Sequence, residues 1–116
     1  MHELTIAQNI VSIIEEELKK RDQLDARVNQ VFFNTGRLNA VIPESLRHNF
    51  NRIKNEKPFL REAELVIKEI PIVIRCRDCE EESTIEEPIF MCQHCNSTNI
   101  EVISGKKMYI DSLEID

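Results

Sequence analysis

The chain has 116 residues, 41% of them hydrophobic and only 5% aromatic, and a formal net charge of −6. That length holds one ordinary domain, or a small domain with a smaller metal-held module. The negative charge argues against a DNA- or RNA-binding protein, because such affinity rests on neutralising phosphates.

Residues 4–21 read as an amphipathic helix, with Leu4, Ala7, Ile10, Val11, Ile14 and Leu18 recurring at three- and four-residue steps. Thr5 and Gln8 have the form of a capping box. Glu15–Lys19, Glu16–Lys20 and Glu17–Arg21 are i,i+4 pairs with the acid first, which marks a solvated face. Val28 to Thr35 predicts a strand with Val31, Phe33 and Thr35 on one side, ended by Gly36-Arg37. A second helix is expected from Pro43, well placed as a first helical residue, with Leu46, Phe50 and Ile53 as its apolar stripe. Ile42 before it is a poor N-cap, having no side-chain oxygen for the orphan amides. Leu65 to Ile74 reads as one β-branched strand running past Pro71. Ile100 to Ile103 gives a short strand, Ser104-Gly105 a turn, and Lys107 to Ile115 a last strand.

This order predicts an α+β fold: a small sheet with two helices, plus an inserted four-cysteine, zinc-ribbon-like domain whose exit strand rejoins the sheet. The expected division is 1–70 with 104–116 for the α+β domain and 71–103 for the zinc-binding domain. A module that small needs a metal to supplement its core. No apolar run approaches the ~18 residues of a membrane span, and Met1-His2-Glu3 does not open a signal peptide. The expected compartment is therefore cytoplasmic, with neither a membrane nor a nucleic acid as partner.

The four cysteines form two Cys-x-x-Cys pairs, Cys76 with Cys79 and Cys92 with Cys95, separated by twelve residues. Each pair can bend into a knuckle aiming two sulfurs at one point, so two knuckles supply the four thiolates of a tetrahedral structural zinc. Two disulfides would need an oxidising compartment. A redox pair should open a helix in a βαβ unit, and would not occur twice. Catalytic zinc keeps an open position, whereas a site of four cysteines is closed. No nucleophile–base pair or paired acid–base carboxylates stand out, and two glycines without a Walker pattern exclude a GTPase, so the chain is not expected to be an enzyme.

His48 lies on the flank of the second helix's stripe, and His94 points to solvent from a knuckle. His2 differs in its setting. Terminal amines and imidazoles as classes release protons near neutral pH, and the backbone nitrogens of His2 and Glu3 lie within chelating reach. Four such nitrogens form a planar set that suits Ni(II) or Cu(II). On spacing alone, a polar terminus without a ligand is the better reading of Met1-His2-Glu3, because any chain can begin Met-His by chance.

Met1-His2-Glu3-Leu4, Gly36-Arg37-Leu38, Pro43-Glu44-Ser45-Leu46-Arg47, the paired knuckles, Ile103-Ser104-Gly105 and Ser112-Leu113-Glu114-Ile115 fall in one order across the chain. Together they resemble the HypA family of hydrogenase and urease nickel-insertion factors. The resemblance implies a nickel metallochaperone with a nickel-binding domain and a separate zinc domain. It implies Ni(II) as transported cargo, held by the Met1 amine, the His2 ring and amide and the Glu3 amide, with the Glu3 carboxylate beside them. Zn(II) would be structural, on Cys76, Cys79, Cys92 and Cys95. The implied partners are a HypB-like GTPase and the [NiFe]-hydrogenase large subunit, or urease maturation proteins. Four positions depart from the family pattern: Glu80 and Asn96 stand where glycine often follows each knuckle, Ile42 replaces an acidic residue, and Arg37 replaces Glu. The alternative reading, a zinc-ribbon interaction module of transcription or translation, would be favoured by a basic stripe, and the knuckle region is acidic instead.

Overall fold

The computed structural model describes residues 2–116, and the expected ligand Met1 lies outside the described residues. Two α-helices, α1 (Glu3–Lys20) and α2 (Pro43–Ile53), accompany six strands: β1 (Val28–Gly36), β2 (Glu64–Ile70), β3 (Ile72–Cys76), β4 (Glu82–Ile85), β5 (Ile100–Ser104) and β6 (Met108–Ile115). They form two three-stranded sheets, ordered β2-β1-β6 and β4-β3-β5. The α+β class holds, and the last strand does join the sheet of the first. Among the described residues, no helix is long and apolar enough to cross a membrane.

The chain divides into two compact units. One takes the described residues up to Phe33, with Val41–Ile67 and Ile110–Asp116. Its core sets Ala7, Ile10, Ile14 and Leu18 of α1 with Val28 and Val31 of β1 and Leu46 and Phe50 of α2, all essentially without solvent contact. Burial of such side chains contributes roughly 1.5–3 kcal/mol each, so this unit rests on its apolar contacts. Lys57 ties α1 from outside, its Nζ lying 3.0 Å from Glu15 Oε2. That contact, followed by the neighbouring charge of Lys19, holds the Glu15 carboxyl below its ordinary range.

The other unit comprises Asn34–Ala40 and Lys68–Tyr109. Its central strand β3 is antiparallel to β4, with Ile72 opposite Ile85, and to β5, with Ile74 opposite Val102. The core is small: Ile72, Ile74 and Ile85, with Leu38, Ile100 and Val102 packed against them. The chain's only two glycines meet here. A Cβ on Gly36 would lie 2.1 Å from the Gly105 carbonyl, and Gly105 itself has φ +99°. Backbone hydrogen bonds from Gly36 to Lys107 and from Leu38 to Gly105 require that approach.

Four expectations are corrected. Helix α1 begins at Glu3, not Leu4, so Thr5 is already inside the first turn and no side chain caps the helix. Its buried face uses Ile6, while Leu4 is 43% exposed. The single strand expected over 65–74 is two strands in different sheets, separated at Pro71, which has no N–H to give a ladder. Strand β4 was hidden in the acidic run after the first knuckle, where Ser83 and Ile85 face inward between exposed Glu82 and Thr84.

Candidate metal centres

Each knuckle is built by the same set of backbone bonds. The Cys76 amide donates to the Glu81 carbonyl and the Glu80 amide to the Cys76 carbonyl; sixteen residues later Cys92 donates to Ser97 and Asn96 to Cys92. Glu80 and Asn96 therefore occupy the same corner, with φ 65° and 62°. This is the left-handed region that the glycine-for-Glu80 and glycine-for-Asn96 pattern anticipates, and it disfavours Glu more than Asn. The turns aim further amides at sulfur. Cys79 N–H lies 3.4 Å from Cys76 Sγ, while His94 and Cys95 N–H lie 3.3 and 3.4 Å from Cys92 Sγ.

The four sulfurs lie within 4.8 Å of one another. Cys76 Sγ is 3.6 Å from Cys95 Sγ, and Cys79 Sγ is 3.5 Å from Cys92 Sγ. These separations rule out disulfides, whose S–S bond is about 2.0 Å. They fit a tetrahedron instead, since a metal–sulfur bond of about 2.3 Å gives edges of about 3.8 Å. The donor set suits zinc. Cys76 and Cys92 are buried, and Cys95 is exposed. The amides of Cys95 and His94 hold the Cys92 thiol down to about 6. At Cys79 the Glu81 amide pulls the same way, but burial and the neighbouring sulfurs outweigh it and push that thiol up to about 12. A cation at the centre of the four sulfurs would favour all four thiolates together.

One supporting residue was not singled out for a role in the sequence. The Asp78 carboxylate accepts from the Ser97 hydroxyl and, at 3.2 Å, from the Asn99 side-chain amide. Those bonds, Ser97's first, hold it below the usual carboxylate range. Asp78 belongs to the first knuckle and Ser97 follows the second, so this bridge fixes one pair of sulfurs relative to the other. Its only sequence signal is an acid between two cysteines, which does not reveal a partner nineteen residues away.

At the other end of the chain, His2 is the N-cap of α1, extended at φ −84° and ψ 106°. Its carbonyl accepts the first helical bond from Ile6, while its side chain caps nothing. Glu3 opens the helix, where amides have no intrahelical acceptor. The Glu3 carboxylate accepts from the Ile42 amide at 3.2 Å, and this bond principally lowers its pKa. Ile42, which cannot cap α2 with its own side chain, thus has its amide satisfied by an acid 39 residues earlier. His48 and His94 are both exposed, as the sequence indicates.

A family profile described as hydrogenase/urease nickel incorporation, metallochaperone, HypA, matches residues 1–115. Curated relatives called hydrogenase maturation factor HypA include those of Desulfatibacillum aliphaticivorans, 38% identical over 99% of this chain and 87% of its own length, and of Moorella thermoacetica, 33% identical over 98% of each. Among solved structures, the solution structure of the Ni metallochaperone HypA from Helicobacter pylori aligns with a TM-score of 0.68 at 24% identity, covering 99% of this chain and 97% of that one. A second solution structure, of a HypA protein, aligns with a TM-score of 0.71 at 23% identity. At those identities the two structures speak for the fold.

Proposed function

The chain belongs to the HypA family of hydrogenase/urease nickel-incorporation metallochaperones, and from that premise we propose that it carries Ni(II) on its first three residues. The donors are the Met1 amine, the His2 ring and amide, and the Glu3 amide. Four nitrogens suit Ni(II) rather than zinc. The observation that carries this reading is the start of α1: it has no side-chain cap, and His2 and Glu3 stand where backbone amides lack helical acceptors. The Glu3 carboxylate, bonded to Ile42, orients the strip from the side and needs no place among the ligands.

Zinc on Cys76, Cys79, Cys92 and Cys95 is structural in this reading and supplies the folding energy that the small core around Ile72 lacks. Residues 1–70 and 104–116 serve nickel, and residues 71–103 serve zinc. The protein acts as a carrier and not as a catalyst, in the cytoplasm, and delivers nickel with a HypB-like GTPase to the [NiFe]-hydrogenase large subunit. Urease is the second candidate recipient. Release requires a state that holds nickel less tightly, because a carrier moves metal only through differential affinity.

The test uses the free amine. Adding one residue before Met1 converts that amine to an amide while leaving the ring, the fold and the cysteines intact. Calorimetry at one pH should show a sharp loss of Ni(II) affinity, and the native chain should itself weaken on acidification as protons compete for ring and amine. Equal affinity for native and extended chains would falsify ligation by the amine.

A further inference from the structure

The negative charge of this protein is concentrated in one stretch. Residues 78–105 contain seven acidic side chains and no Lys or Arg, so against a whole-chain charge of −6 the rest of the molecule nets one positive charge. Arg77 lies 3.4 Å from Glu101 and Arg75 stands opposite Glu82 on the sheet. Glu86 and Glu87, beyond the end of β4, have no ion-pair partner among the described residues. They are followed at once by apolar side chains in solvent: Ile89 is 60% exposed, Phe90 39% and Met91 40%. The loop is set by tight backbone bonds from Ile89 to Glu87 and from Met91 to Ile89, at 2.7 and 3.1 Å. Glu86, Glu87, Ile89 and Met91 line one open groove.

Three consecutive large apolar residues in water are costly unless something covers them, and an apolar centre beside unpaired charge has the composition of an interface. We propose that the loop Glu86–Met91 is a docking site for a basic, amphipathic segment of another protein, with Lys or Arg reaching Glu86 and Glu87 and apolar side chains seated on Phe90 and Met91. Charge selects the occupant. An anionic membrane or a nucleic acid would be repelled by this stretch, and an acidic helix would be as well. Methionine's flexible thioether lets such a surface adapt to its partner, while Phe90 supplies the anchor. The loop Glu86–Met91 contains none of the residues assigned to nickel or zinc, although Cys92 also lines the groove, so zinc content is measured alongside binding.

The full-length, zinc-loaded protein can be titrated with a synthetic helical peptide of about fourteen residues carrying Lys and Leu on opposite faces. Control peptides replace Leu by Ser or Lys by Glu. Amide shifts in NMR should concentrate on residues 84–93, and binding should weaken as salt is raised. Phe90→Ser, and separately Glu86→Gln with Glu87→Gln, should each reduce affinity about tenfold at unchanged zinc content. Equal binding of the controls, shifts centred on the acidic face of α1, or unaltered affinity in both variants would overturn the proposal. So would a concentration-dependent dimer that Phe90→Ser abolishes, because the loop's occupant would then be a second copy.

Discussion

The four-cysteine centre and the proposed N-terminal nickel strip differ in what makes a donor. At the centre every donor is a side chain, positioned by two copies of one turn and by the Asp78 bridge to Ser97. At the strip most of the proposed donors are main-chain nitrogens that every protein possesses, and only the His2 ring is distinctive. The centre can therefore be tested as a shape, with sulfurs 3.5 and 3.6 Å apart across the knuckles. The strip is defined by what its backbone does not do: an uncapped helix start with amides left over. A side-chain site fixes its geometry through folding, whereas a backbone site depends on chemistry at a chain end.

The most severe way to break the contrast is to remove one sulfur. Cys92→Ala takes away the thiol that Cys95 and His94 amides favour as thiolate. Structural zinc contributes on the order of 10 kcal/mol to small modules, far more than the few aliphatic contacts around Ile72 can replace. Zinc content should fall well below one equivalent. NMR dispersion should collapse for residues of β3, β4 and β5, while α1 and α2 keep their helical signal. Full zinc retention with native affinity in Cys92→Ala would remove the four-cysteine assignment.

The converse change is smaller in its effect on the fold and large only for cargo. His2→Ala deletes the one distinctive donor of the strip and touches no buried contact, as His2 is exposed. Nickel binding should be lost while zinc content, helix content and denaturation midpoint stay unchanged. Nickel binding as tight as wild type would move the site elsewhere, with His94 as the next residue to test.

The same contrast explains what could be read before the structure. Cys-x-x-Cys spacing is a geometric statement, so the four cysteines were legible as one cluster. Periodicity likewise marked β1, α2 and most of α1, because buried positions such as Val31, Phe33, Leu46 and Phe50 repeat at the strand or helix step. The signal failed where tertiary partners decide. Pro71 separates β2 from β3 only because their ladders belong to different sheets. Strand β4 shows just two inward residues amid acids, too short a pattern to rise above a charge run. The Glu3–Ile42 and Asp78–Ser97 bonds join distant positions, and single-sequence spacing has no means of pairing them.

The finest comparison lies inside the metal centre, between its two knuckles. They share the two backbone bonds that close each turn and differ at the left-handed corner, where one has Glu80 and the other Asn96. A left-handed L-residue costs roughly 1–2 kcal/mol, of which Asn recovers a part through its short polar side chain, and glycine's greater unfolded-state entropy offsets about half. Glu80→Gly should therefore stabilise the zinc-loaded protein by about 0.5–1 kcal/mol, and Asn96→Gly by close to nothing. Urea denaturation, with zinc retention against a chelator as a second readout, measures both. Glu80→Gln separates backbone from charge, because it neutralises the carboxylate and keeps the strained corner; it should leave stability near wild type. If Glu80→Gln stabilised as much as Glu80→Gly, repulsion within the acidic stretch would be the cause and the corner would carry no strain. If Asn96→Gly gained as much as Glu80→Gly, the two knuckles would be equally strained despite their different residues.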